Sequence, residues 1–180
     1  IYVFGKLEIQ SASWTIIHNT FSLRLKKRFS KMKILILGSK GFVGSNVSKY
    51  FNKLQFKIFN DPGKTKLNLL NITNFNKLIN HSKPNIVINC LGVVGGIQWG
   101  LVNKVKIYDE NNQLSLNLLK SIKGKNITLI NLLANCIYPH KFSKFFEKDI
   151  LNGSVHPSVF EYGMSRRALY SGTQAYSDEK

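Results

Sequence analysis

The ordering of apolar and polar positions is clearest between residues 32 and 54. Ile34-Leu35-Ile36-Leu37 is an unbroken apolar run, the pattern of a short strand covered on both faces. Val43, Val47, Tyr50, Phe51 and Leu54 then recur at helical spacing, with Ser45, Asn46, Ser48, Lys49, Asn52 and Lys53 between them. The same reading predicts further strands at 56–59, 67–70, 85–90 and 126–133, and helices at 72–80, 107–122 and 160–176. The stripe of helix 107–122 runs through Ile107, Asn111, Leu114, Leu118 and Ile122, so Asn111 requires a buried partner. Strands alternating with helices predict an α/β fold with a doubly wound parallel sheet and right-handed crossovers. The pattern ends after about five strands, which leaves 126–133 as an apolar edge open to pairing. The expectation is either a fragment of a longer chain or an edge covered by a partner.

The junction between the first strand and its helix carries the first chemical signal. Gly38, Gly41 and Gly44 stand at spacing three in Gly38-Ser39-Lys40-Gly41-Phe42-Val43-Gly44. A strand, a tight glycine turn and a helix in that order is the context of a Rossmann-like dinucleotide site. A diphosphate must approach backbone N–H groups at a helix N-terminus, and a Cβ in the turn would hold it away. Gly38 permits the turn, Gly41 the approach, and Gly44 close packing of helix on strand. Asp61 follows the second strand, where an acidic side chain bonds the ribose 2′-hydroxyl of NAD.

Composition narrows the picture. At 180 residues and 43% hydrophobic content, the chain has enough material for one core. No apolar run approaches the ~18 residues of a membrane span. Cys90 and Cys136 adjoin apolar runs, which suggests reduced thiols in a cytoplasmic protein rather than a disulfide scaffold. The formal net charge of +17 raises nucleic acid and anionic membranes as partners. The lysines are scattered, however, with one dense cluster at Arg24–Arg28, and 19 asparagines accompany them, a bias typical of an AT-rich genome. Neither nucleic acid nor membrane is therefore expected. His18, His81, His140 and His156 have no metal-ligand spacing, and no metal is expected. Met32 opens the first core strand directly, so 1–31 reads as a disordered leader or an artefactual extension, with a transit peptide as the alternative.

Five segments carry a family resemblance: GSKGFVG, KLNLLN, VGGI at Val94–Ile97, NCIYP at Asn135–Pro139, and EKDILNGSVHPSVFEYGMSR. From Met32 onward the chain resembles the N-terminal part of an extended short-chain dehydrogenase/reductase, in the NAD-dependent epimerase/dehydratase superfamily. Within it the chain is most similar to the GDP-L-fucose synthases. The resemblance implies an incomplete NAD(P)-binding domain over 32–180, with the C-terminal substrate domain absent. It also implies a nucleotide-sugar substrate, a GDP-4-keto-6-deoxyhexose, and a homodimer through helices 107–122 and 160–176.

In that family a Tyr gives a proton to a 4-keto oxygen while the nicotinamide delivers hydride. A Ser polarises the ketone, and a Lys four residues after the Tyr favours the phenolate. A Cys and a His move protons in 3,5-epimerisation. Tyr162 matches the tyrosine and Cys136 the epimerisation base, although a small core thiol is the alternative reading of Cys136. Arg166 stands where the Lys is expected; its charge is fixed and it cannot act as a proton relay. Ala134 stands where the Ser is expected, and losing one such donor costs about 2.7–4 kcal/mol of barrier. Two functions follow from this reading, an active epimerase/reductase and a cofactor-binding protein with impaired catalysis. The implied cofactor contacts are Gly38, Ser39, Lys40, Gly41, Phe42, Val43, Gly44, Asp61, Leu91, Gly92, Asn111, Tyr162 and Arg166. Lys40, with Lys64 as a second candidate, sits where the family binds the 2′-phosphate of NADP, while Asp61 argues for NAD. The expectation is NADP with NAD as the alternative.

Overall fold

A computed structural model of the chain describes residues 2–4, 32–141 and 144–179. Two compact units are present. The first is drawn from 1–67, 78–90 and 126–132, and the second from 68–77, 91–125 and 133–180.

The first unit contains the sheet. Strands β1 (Tyr2–Phe4), β2 (Lys33–Leu37), β3 (Lys57–Asn60), β4 (Ile86–Asn89) and β5 (Thr128–Asn131) line up in the order β1-β5-β4-β2-β3. β2 pairs in parallel with both β3 and β4, through Ile34↔Ile58 and Ile34↔Ile86, and β4 pairs in parallel with β5 through Ile88↔Ile130. The four-strand parallel core is the α/β, Rossmann-like arrangement that the alternating pattern predicts. Because β2 lies between β3 and β4, the strand order reverses at its carboxyl end, where open α/β sheets bind ligands. Helix α1 (Phe42–Lys53) begins there. Ile34, Ile36 and Ile88 form one apolar face, with Val47, Phe51, Phe56, Ile58, Ile86, Cys90 and Ile130 packed against it. Their strand neighbours Leu35, Leu37, Val87 and Leu129 point the other way and are buried as well, as the continuous apolar run requires.

Two expectations change here. The first concerns 67–70, which is not a strand. Asn68 Oδ1 accepts from the Leu70 N–H (3.1 Å) and Asn71 Oδ1 from the Thr73 N–H (2.8 Å), so local side-chain bonds turn the backbone before helix α2 (Ile72–Ser82). The second concerns the outer edge of β5, which pairs antiparallel with Tyr2–Phe4 through Val3↔Ile130. That strand comes from the segment expected to be disordered, and it supplies the fifth strand in place of 67–70. The rest of 1–31, including Arg24–Arg28 and His18, lies outside the described residues.

The second unit is helical. It holds α3 (Ile97–Val102), α4 (Lys104–Ile122), α5 (Phe160–Asp178) and the 3-10 turns Asn135–Ile137, Glu147–Asp149 and Pro157–Val159. α3 was not expected; it separates the glycine-rich 91–96 loop from α4. Leu69, Phe75, Ile107, Leu118, Leu119, Ile137, Ile150, Val155 and Leu169 are buried apolar residues of this second unit. Asn117 of α4 donates from Nδ2 to the carbonyls of Leu69 (3.0 Å) and Leu70 (2.9 Å), so these carbonyls bond a side chain rather than a neighbouring strand.

Candidate active site

The expected site residues form two groups, one in each unit. The first is the turn after β2. Gly38 has φ +73°, a left-handed conformation that favours glycine. The Gly41 N–H donates to the Gly38 carbonyl at 2.9 Å and closes the turn. A Cβ on Gly44 would stand 2.1 Å from that carbonyl oxygen and 2.6 Å from its carbon, so only bare backbone fits. Gly41 is the N-cap of α1 and gives the helix no side-chain cap. The N–H groups of the first helical turn therefore remain available to an anion. Lys40, Gly41, Phe42 and Val43 are exposed at this opening, whereas Ser39 and Gly44 are buried.

Asp61 supports this turn from the end of β3. Its Oδ2 accepts from the Ser39 N–H (2.8 Å), its Oδ1 from the Gly63 N–H (2.9 Å), and its carbonyl from the Ser39 hydroxyl (3.0 Å). At 4% exposure the carboxylate bonds two backbone donors of the turn, one on each oxygen. Lys40 and Lys64 are exposed nearby in sequence, and a Cβ on Gly63 would stand 3.2 Å from Lys40 Cγ. A bare turn, an uncapped helix start and an exposed lysine fit the diphosphate and phosphate groups of a dinucleotide.

The second group centres on α5. Tyr162 and Arg166 lie four residues apart on one face, and the guanidinium carbon sits 4.9 Å from the Tyr162 ring centroid. Arg166 is buried and donates from Nη2 to Asn111 Oδ1; its Nε has no hydrogen-bond partner among the described residues. Asn111 has the partners its place on the stripe demanded. Its Oδ1 accepts from the Val93 N–H (2.9 Å), and its Nδ2 donates to the carbonyls of Val93 (2.8 Å) and Ile107 (2.7 Å). Both backbone groups of Val93 are thereby held, and with them the loop after Leu91 and Gly92. A Cβ on Gly92 would lie 3.2 Å from Arg166 Nη2 and 3.3 Å from the Tyr162 hydroxyl. Arg166 cannot surrender a proton, so a proton leaving or entering this group passes through the Tyr162 hydroxyl.

Cys136 lies half-buried in the Asn135–Ile137 turn, which Ala134 caps without a side-chain bond. Burial pushes the Cys136 thiol up, and the positive charge of Arg166 opposes that shift. Asn135 is exposed. Sequence reasoning missed Gly163 and Arg167, which hold this turn, and the buried amide pair Asn89 Nδ2–Asn131 Oδ1 (2.8 Å) at the ends of β4 and β5. The amide pair was legible in principle, since both strands end in Asn.

Comparison with known proteins decides the family. The profile described as "NAD dependent epimerase/dehydratase family" matches residues 34–180. The chain belongs to this family. Among its relatives, GDP-L-colitose synthase of Yersinia pseudotuberculosis is 34% identical over 75% of the chain and 44% of its own length. GDP-L-fucose synthase of Azorhizobium caulinodans is 29% identical over 74% of the chain and 43% of its length. The chain thus spans less than half the length of these relatives. Two solved structures show the same fold. A GDP-L-fucose synthetase from Naegleria fowleri bound to NADP has a TM-score of 0.74 at 23% identity, over 83% of this chain and 49% of that one. A GDP-D-glycero-L-gluco-heptose synthase from Campylobacter jejuni has a TM-score of 0.75 at 19% identity, over 82% and 44%. No helix among the described residues is long and apolar enough to cross a membrane.

The Cys90 thiol of this family member should titrate well above the ordinary thiol range. Burial, and secondarily the Asp61 charge, push Cys90 up to about 11. The thiolate is the reactive form, so iodoacetamide labelling of Cys90 should rise about tenfold per pH unit up to that value. Peptide mass spectrometry between pH 7 and 10 checks this; labelling of Cys90 that levels off near pH 9 would contradict it.

Proposed function

We propose that the chain binds NADP(H) and belongs to a nucleotide-sugar epimerase/reductase of the GDP-L-fucose synthase kind, acting on a GDP-4-keto-6-deoxyhexose in the cytoplasm. The observation that carries this reading is the Gly38–Gly44 turn, whose backbone contact excludes every side chain at Gly44. Support also comes from the relatives, named as GDP-sugar synthases, and from the bound NADP of one structural neighbour. Gly38, Ser39, Gly41, Phe42, Val43 and Gly44 would hold the diphosphate at the start of α1. Lys40 would meet the 2′-phosphate, while Asp61 holds the turn beside it by accepting the Ser39 and Gly63 N–H groups. Leu91, Gly92, Asn111, Tyr162 and Arg166 would line the nicotinamide end. Bound NADPH supplies the hydride. Tyr162 would give the proton to the ketone oxygen, and Cys136 would move protons at the carbons beside it.

A second reading, cofactor binding with impaired turnover, is favoured by two residues. Ala134 offers no hydroxyl to the ketone, and Arg166 is tied to Asn111 and carries a proton it cannot release. A homodimer is also part of the proposal. Val105, Tyr108 and Leu116 of α4 are exposed on one stripe, as are Ala168, Ser171 and Ala175 of α5.

Three measurements test these readings. In a fluorescence titration NADPH should bind more tightly than NADH, and Lys40→Ala should weaken NADPH about tenfold or more while sparing NADH; no binding of either below millimolar would refute the proposal. Ala134→Ser should raise NADPH oxidation with the ketosugar about 10²–10³-fold if the missing hydroxyl limits turnover; a wild-type rate already typical of an active reductase would dismiss the impaired reading. Sedimentation velocity should show two copies, and a monomer at tens of micromolar would remove the dimer.

A further inference from the structure

α5 presents two pairs of residues at four-residue spacing, side by side. Tyr162 and Arg166 face Gly92 and Asn111. One position on, Gly163 and Arg167 face the turn that carries Cys136. A Cβ on Gly163 would stand 2.7 Å from the Cys136 carbonyl oxygen and 3.1 Å from Val155 Cγ1, so the helix backbone lies directly on the turn. One helical turn later, Arg167 Nε donates to the Ile137 carbonyl at 2.7 Å. Its Nη1 donates to the Gly153 carbonyl, also at 2.7 Å. The His140 N–H donates to the Ser154 carbonyl at 3.1 Å and ties the same two segments together.

Arg167 is an expensive way to hold two carbonyls. It is 8% exposed, its Nη2 has no hydrogen-bond partner among the described residues, and burial lowers its affinity for the proton. Both of these bonds go to neutral main-chain oxygens rather than to a carboxylate. A merely adhesive contact is made more cheaply by an apolar side chain. What an arginine adds is direction: its planar fork fixes two carbonyls at once.

We propose that Gly163 and Arg167 are positioning residues that fix the Cys136 turn on the helix that carries Tyr162. One rigid helix then sets the register between the two groups that move protons, with Tyr162 and Arg166 on one stripe and the Cys136 turn clamped to the next. The proposal rests on the reading of Cys136 as a reacting group, and its test needs neither cofactor nor substrate.

The test is alkylation of Cys136 by iodoacetamide in the whole chain between pH 7 and 10, followed by peptide mass spectrometry, with Cys90 as internal reference. Arg167→Met removes both donors and keeps an apolar stem. The Cys136-to-Cys90 rate ratio should rise at least about fivefold, and the Cys136 pH profile should move to lower pH as burial is relieved. Arg167→Lys should restore part of the wild-type profile, and Gly163→Ala should reproduce the loosened one. Leu169→Ala, which removes a buried side chain from the same helix, should leave the ratio unchanged. A ratio within twofold of wild type in Arg167→Met would overturn the proposal, as would an equal rise in Leu169→Ala. If Arg167→Met does not fold, Arg167→Lys and Gly163→Ala carry the same comparison against Leu169→Ala. Failure of NADPH to bind would sink the proposed function and leave this result standing. Unchanged Cys136 reactivity would sink the clamp alone.

Discussion

The contact on which the rest depends is backbone against backbone. Gly44 lies against the Gly38 carbonyl so closely that a single methyl group would overlap it at 2.1 Å. Overpacking of this kind costs about 1–3 kcal/mol even where neighbours can shift, and here the neighbour is main chain. The approach does three things at once. It seats α1 on β2, it turns the first-turn N–H groups toward the reversal of strand order, and it leaves room for no side chain at residue 44. Asp61 completes the arrangement by spending its carboxylate on the Ser39 and Gly63 amides. An acidic residue at the end of β3 thus becomes part of the scaffold of the glycine turn.

The second unit applies a similar logic to a different end. Asn111 bonds both backbone groups of Val93 and accepts from Arg166, so an amide on an apolar stripe becomes the anchor of the loop after Gly92. Exchanging Lys for Arg at 166 keeps the charge beside Tyr162 but changes its behaviour. An ammonium can lose a proton and rotate among acceptors, whereas a guanidinium directed at one amide oxygen does neither. Together with Ala134, this is what the proposed reading of impaired turnover rests on.

Much of this was legible in the chain. The run Ile34–Leu37 and the glycines at 38, 41 and 44 located β2, the turn and α1, because a buried strand and a bare turn leave few alternatives in sequence. Asn111 was legible for the same reason, since a polar residue on an apolar stripe demands a partner. The segment 67–70 was not, because Leu-Asn-Leu-Leu suits a strand or a turn, and Asn68 and Asn71 decided it through local bonds. Asp61 was located by spacing, but its bonds to Ser39 and Gly63 were not, since spacing says where a carboxylate stands and not which donors it meets. Arg167 was invisible beside Arg166. Two adjacent arginines read alike until helix geometry sends one to Asn111 and the other to the carbonyls of Ile137 and Gly153. The strand Tyr2–Phe4 was passed over because its segment lacked the periodic pattern of the core.

The central claim is that the amides at the start of α1 hold a dinucleotide's diphosphate. Hydrogen exchange measured by NMR, with and without saturating NADPH, addresses it at single residues. The account predicts that the Phe42, Val43 and Gly44 amides exchange at least about tenfold more slowly in the complex, because each would then donate to an oxygen. Unchanged exchange at those three amides, with NADPH shown to be bound, would contradict it.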